Sequence, residues 1–179
     1  LAVMGREDIE NGTNIIASHI DSPRIDLKQN PLYEDSKLVL FKTHYYGGIK
    51  KYQWTALPLS LIGVVIDGKG NRIDVNIGED ESDPVFTITD LLPHLAVDQM
   101  SKKMTEAFTG EDLNILVGSI PPSDEEKTVK DAIADLIKEK YGIEEEDFVS
   151  AELEMVPAFK ARDIGFDRSL IGSYGHDDR

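Results

Sequence analysis

The chain contains no cysteine. Disulfides, thiolate metal sites and cysteine nucleophiles are therefore excluded, and any metal must be held by His, Asp or Glu. The lack of cysteine fits a cytoplasmic protein. Cations are scarce: 19 Lys and Arg stand against 34 Asp and Glu, for a net charge of −15. That balance argues against nucleic acid, whose phosphates require neutralisation, and against anionic membrane surfaces. No apolar run approaches the about 20 residues needed to span a bilayer. No basic start followed by an apolar stretch marks a secretory signal. The chain has neither an internal repeat nor a low-complexity linker, and it begins with Leu1, so the true N-terminus is expected upstream.

What is present is an ordinary globular composition: 40% hydrophobic and 30% charged residues over 179 positions, enough for one sizeable domain or one domain plus part of another. Residues 14–21, Asn-Ile-Ile-Ala-Ser-His-Ile-Asp, read as a buried strand turning polar at its end. Lys37–Tyr46 is a second strand. Leu57–Ile66 and Arg72–Ile77 flank Asp67-Gly-Lys-Gly-Asn71 and read as a hairpin. Pro93 suits the first turn of a helix reaching about Phe108, and Leu113–Val117 reads as a short strand. Ser123-Asp-Glu-Glu126 has the pattern of a capping box, followed by Val129, Ala132, Ile133, Leu136, Ile137 and Tyr141 at helical spacing, with Gly142 as the stop. The four acids Glu144–Asp147 read as a solvated loop, Phe148–Met155 as a strand, and Phe159–Arg179 as irregular.

Two places carry candidate chemistry. His19 and Asp21 follow an apolar stretch two residues apart, so on a strand both side chains point to one side. Such a His can ligate a metal while the carboxylate orients it; equally, a surface His can sit beside the Ser22-Pro23 turn. Near the other end, Gly175-His-Asp-Asp-Arg179 follows a glycine-rich turn. Adjacent acids are costly without a cation, so Asp177 and Asp178 suit either a metal ligand or a solvated turn compensated by Arg179.

The combination of motifs resembles the M18 family of metallo-aminopeptidases, the aspartyl aminopeptidase family. Ile15-Ile-Ala-Ser-His-Ile-Asp-Ser-Pro-Arg24 is similar to that family's His-x-Asp-Ser-Pro signature, and Tyr46-Gly-Gly-Ile49 followed by Trp54 is similar to its Tyr-Gly-Gly-Ile...Trp segment. Ala158–Arg179, running through Ile171-Gly-Ser-Tyr-Gly-His-Asp-Asp-Arg179, resembles its bacterial branch. The likeness is collinear over nearly the whole chain.

The resemblance implies an α/β zinc-peptidase core interrupted by an inserted, mostly β, dimerisation domain. It assigns residues 1–31 to the first part of the core, 32–156 to the insert and 157–179 to the return to the core. His19 and Asp177, 177 − 19 = 158 positions apart, would then meet at one metal centre. His19 matches a zinc ligand, Asp21 the catalytic-site aspartate that orients it, and Asp177 the carboxylate bridging two zinc ions; other divalent metals could take their place. Asp178 matches a neighbour that is not a ligand. His94 is the nearest match to a histidine that the insert brings into a partner's active site, and His44 has no assigned role. The resemblance implies removal of N-terminal residues from peptide substrates, acidic ones preferred, by a homo-oligomer. A Glu-Glu pair, a further Asp and a final His of the family's site would follow Arg179. The 179 residues alone are therefore expected to be inactive and to bind zinc weakly or not at all.

Two other readings stand beside this one: a different two-metal aminopeptidase family, and a non-catalytic dimerisation module. Self-association is expected because Leu57–Val65 offers a long apolar strand whose edge needs covering.

Overall fold

The structure, a computed structural model, describes residues 3–17 and 22–175. Its centre is a six-stranded antiparallel sheet in the order β4-β3-β6-β1-β2-β5. The strands are β1 (Arg24–Asp35), β2 (Leu38–Tyr46), β3 (Leu59–Ile66), β4 (Arg72–Ile77), β5 (Ile115–Gly118) and β6 (Glu152–Pro157). Helices α1 (Val97–Ser101), α2 (Met104–Ala107) and α3 (Val129–Tyr141) complete this part, and a separate ribbon pairs β7 (Arg162–Ile164) with β8 (Leu170–Gly172).

Alternation along the strands builds the core. Ile25, Leu59, Leu61, Val65, Val75, Leu153 and Met155 point to one face and are buried there. Helix α3 lies against the β1, β2 and β5 side of that face and buries Val129. Ile133, Ile137 and Tyr141 pack beside it, and Phe41 meets Phe148 edge-on at 5.7 Å. The opposite face of the sheet is mixed, with Ile62, Val64 and Val156 partly buried beside polar groups. There Arg24 reaches Asp26 at 2.8 Å and Glu154 at 3.0 Å, and its guanidinium lies 4.2 Å from the Tyr46 ring centre.

The hairpin forms as expected. Asp67 closes its turn by accepting from the N–H groups of Lys69 and Asn71 at 2.9 and 2.8 Å. Strand β3, however, is not an edge: it lies between β4 and β6, so β4 and β5 end the sheet, and at β5 Leu116 N–H donates on to the Thr87 carbonyl at 2.9 Å. A continuous apolar strand signals a centre position more readily than an exposed edge.

Other expectations shift for local reasons. Helix α3 begins at Thr128, not Ser123. The Thr128 hydroxyl accepts from Asp131 N–H at 3.1 Å and the Asp131 carboxylate accepts from Thr128 N–H at 2.8 Å. Both segments have the capping pattern, but residues 124–127 are all charged and offer nothing to bury, whereas Val129 is buried at once. The stop at Gly142 holds. The expected helix over 93–108 divides into α1 and α2 with extended backbone at Lys102 and Lys103, since only Ala96 in the segment is buried. The acidic run Glu144–Asp147 opens a 3-10 turn over Glu145–Ser150, with Asp147 buried, and β6 starts after it. Residues 159–171 are exposed yet contain the β7–β8 ribbon.

Strand β1 has no counterpart among the expected strands, and residues 14–17 of the expected first strand are irregular, with Ile15 and Ile16 exposed. No described strand lies beside them to satisfy their backbone groups. The rest of that expected strand, 18–21, lies outside the described residues. No described helix is long and apolar enough to cross a membrane.

Candidate active-site cleft

Three separated motifs converge at one end of the sheet. Ser22-Pro23 leads into β1, Tyr46-Gly-Gly leaves β2, and Ser173-Tyr174-Gly175 comes after the ribbon. Gly175 has φ of +66°, and a Cβ there would stand 3.0 Å from Ser22 Oγ. Gly47 abuts Pro23: a Cβ on it would lie 3.5 Å from Pro23 Cα. The positions 22 and 175 are 175 − 22 = 153 apart in sequence, so this contact is produced by the fold.

Trp54 forms the floor where these segments meet. It caps a 3-10 turn over Lys51–Gln53, is buried, and meets the Tyr174 ring edge-on at 6.1 Å and 89°. Around it lies a cleft of about 590 Å³ bordered by Pro23, Lys50, Gln53, Trp54, Tyr174 and Gly175. Lys50 is exposed at its rim and has no ion-pair partner among the described residues. The neighbouring Lys51 ammonium instead lies 5.3 Å from the Tyr45 ring centre. Sequence reading did not single out Lys50; its place beside Gly48 and Trp54 was the available signal.

His19, Asp21, Asp177 and Asp178 lie outside the described residues. The structure shows the flanks of the two segments that carry them, and those flanks touch. Among the described residues no group of three His, Asp or Glu is arranged to hold a metal, so any such site must draw on residues beyond them. His94 sits exposed in a turn closed by Leu95 N–H donating to Leu92 carbonyl at 2.8 Å, amid exposed Leu91, Leu92, Leu95 and Val97. It is not part of this cleft. His44 is exposed on β2, stacked on Tyr45 at 5.8 Å.

Comparison with known proteins agrees with these motifs. The family model described as "Aminopeptidase I zinc metalloprotease (M18)" matches residues 1–179. A "Probable M18 family aminopeptidase 1" of Clostridium acetobutylicum is 57% identical over 179 residues, covering 99% of this chain and 38% of the relative. A crystal structure of an M18-family aminopeptidase from Thermotoga maritima superposes with TM-score 0.90 at 54% identity, over 96% of this chain and 38% of that one. The S. cerevisiae mApe1 dodecamer shares the fold at TM-score 0.55 and 20% identity, over 86% of this chain and 33% of that one. The chain thus spans about 38% of the length of the curated relative and the crystal structure at high identity. With every residue inside the family match and 57% identity to a relative of that name, the chain belongs to the M18 family of zinc metallo-aminopeptidases.

Proposed function

We propose that this chain supplies one part of a two-zinc aminopeptidase site that removes N-terminal residues, acidic ones preferentially, from peptides. The observation that carries the reading is the contact of Gly175 with Ser22. It brings the stretch after His19 and Asp21 against the stretch before Asp177. In this reading His19 presents a neutral ring nitrogen to zinc, and Asp21 fixes the ring's tautomer and orientation. Asp177 offers one carboxylate oxygen to each of two ions and offsets their mutual repulsion. Zinc, when bound, supplies Lewis acidity toward the scissile carbonyl and activates water. Trp54 and Tyr174 wall the neighbouring cleft, and Lys50 places a positive charge at its rim, which suits an acidic first residue. The remaining ligands and the general base belong to the longer protein, so the 179 residues alone are inactive in this proposal.

The sheet from Arg24 to Pro157 is the inserted unit in the same proposal, drawn wider than 32–156 because both of those positions fall inside strands. Homo-oligomerisation through this unit is part of the reading, supported by the dodecamer formed by the yeast protein of like fold. His94, exposed among apolar neighbours, suits a contribution to a partner's site. A cytoplasmic setting belongs to the same reading.

The test uses the full-length protein carrying this segment, with zinc analysis and hydrolysis of N-terminal aspartyl or glutamyl substrates. Asp177→Asn is expected to abolish turnover and stable binding of the metal pair. Asp178→Asn is expected to keep the metals and lose about 10–100-fold in rate. Loss of zinc on Asp178→Asn with retention on Asp177→Asn would put the register off by one. Zinc unchanged in both would overturn the two-metal assignment and favour the non-catalytic module.

A further inference from the structure

Residues 159–171 are exposed without exception, and their only regular structure is a ribbon of two three-residue strands. A two-stranded ribbon is marginal by itself and cannot fix the position of the residues C-terminal to it. Among the described residues beyond Pro157, Tyr174 alone packs against the hydrophobic core. Its contact there is Trp54, edge-on at 6.1 Å.

Trp54 is in turn held on both sides. Its own N–H donates to the Lys51 carbonyl at 3.0 Å, and Ala56 N–H donates to the carbonyl of fully buried Ile88 at 2.9 Å. The Thr55 hydroxyl donates to the Tyr52 carbonyl at 3.0 Å. A continuous path therefore runs from the core through Trp54 and Tyr174 to Gly175, which lies so near Ser22 that a Cβ would crowd its hydroxyl.

We infer that Trp54 is a positioning residue: acting through Tyr174, it holds Gly175 against Ser22 and so sets the spacing of the segments that bear His19 and Asp177. Its catalytic consequence rests on the function proposed above; its mechanical part does not.

Trp54 is the sole tryptophan of these 179 residues, so the emission of this chain by itself reports the contact directly. Tyr174→Leu is expected to shift that emission to the red. It should also raise hydrogen exchange over 173–175 about ten-fold while leaving strand β3 unchanged. In the full-length enzyme the same variant should lower kcat about 100-fold, the size of loss a misplaced group produces, with KM within about three-fold. Ile115→Val loosens the buried core at β5 without changing Trp54 or Tyr174, and should lower Tm without moving the emission or kcat. Trp54→Phe keeps an aromatic face and should retain most of kcat, whereas Trp54→Leu should not. Unchanged exchange and emission in Tyr174→Leu would overturn the inference. So would a kcat loss matched by Ile115→Val, or an unaltered kcat despite released exchange. If wild-type full-length protein hydrolyses no peptide, the proposed function fails, while exchange and emission still decide whether Trp54 holds the turn.

Discussion

The backbone N–H of Gly68 donates to the carboxylate of Asp147 at 3.0 Å, joining the tip of the β3–β4 hairpin to the 3-10 turn before β6. The second oxygen of Asp147 accepts from Glu144 N–H at 2.9 Å. Asp147 is only 7% exposed and holds both backbone donors, so removing its carboxylate unjoins the hairpin tip from the 3-10 turn. Asp147→Ala is accordingly expected to cost about 1–3 kcal/mol. Urea unfolding at neutral pH measures it, and a loss below 0.5 kcal/mol (about the error of such a measurement) would show that water replaces the carboxylate.

Helix α3 offers a direct comparison between two capping sequences. Thr128→Ala should destabilise by about 1 kcal/mol, while Ser123→Ala should change stability by less than about 0.5 kcal/mol. The same urea titration serves for both. The Asp131 carboxyl is held below the usual carboxylate range by hydrogen bonds from the Thr128 backbone and hydroxyl. Its contribution is therefore present above the ordinary carboxylate pKa and is lost as pH falls through the lowered value.

Glu154 has the opposite sign. Burial pushes its carboxyl above the usual range, Asp26 and Glu152 add to the rise, and Arg24 opposes it. A carboxyl whose folded pKa is raised favours the folded state below its unfolded pKa, and that advantage disappears as pH rises through the folded value. At pH 7 the ionised group is a cost, only partly offset by Arg24. Glu154→Gln is expected to be slightly more stable than wild type at pH 7, by less than about 1 kcal/mol, with the difference vanishing under acid conditions. Paired urea titrations at the two pH values check the sign. A variant less stable at pH 7 would show that the Arg24 ion pair outweighs burial.

Lys50 tests the preference for acidic substrates. In the full-length enzyme, Lys50→Ala should lower kcat/KM for an N-terminal glutamyl substrate about five-fold and leave a leucyl substrate unchanged, as expected for a rim charge worth up to about 1 kcal/mol. Equal losses on both substrates would assign Lys50 a role in packing instead.

Much of the sheet was legible because its signals are local. The Asp67–Asn71 turn specifies its hairpin, and strands β2, β3 and β4 appear within two residues of their expected bounds. Strand β1 was hidden because Lys28-Gln-Asn-Pro31 breaks its alternation. Those residues form an irregularity between the Leu27–Thr43 and Leu32–Phe41 pairs, a long-range accommodation with no local signature. Asp147 escaped notice for a similar reason: within a run of four acids nothing marks the one whose partner lies 79 positions away. At the site, the motifs identified which segments matter, but spacing along the chain could not show that Tyr174 rests on Trp54. Lys50 had only its place beside Gly48 and Trp54 to mark it, because an exposed lysine in a loop has no pattern of its own.

In the sheet, the first and last long strands are neighbours: Ile25 pairs with Met155 and Asp26 with Glu154. The more than one hundred residues between them therefore leave and return through a gate about 5 Å wide, the separation of opposed residues on antiparallel strands. To any structure that surrounds it, such a unit is equivalent to a tight hairpin, because its own folding has already met the entropy of joining its ends. It can grow, shrink or be replaced by a short turn with little disturbance on either side of the gate. That makes the pairing of β1 with β6 a natural seam, at which a compact module can be gained or exchanged as a whole.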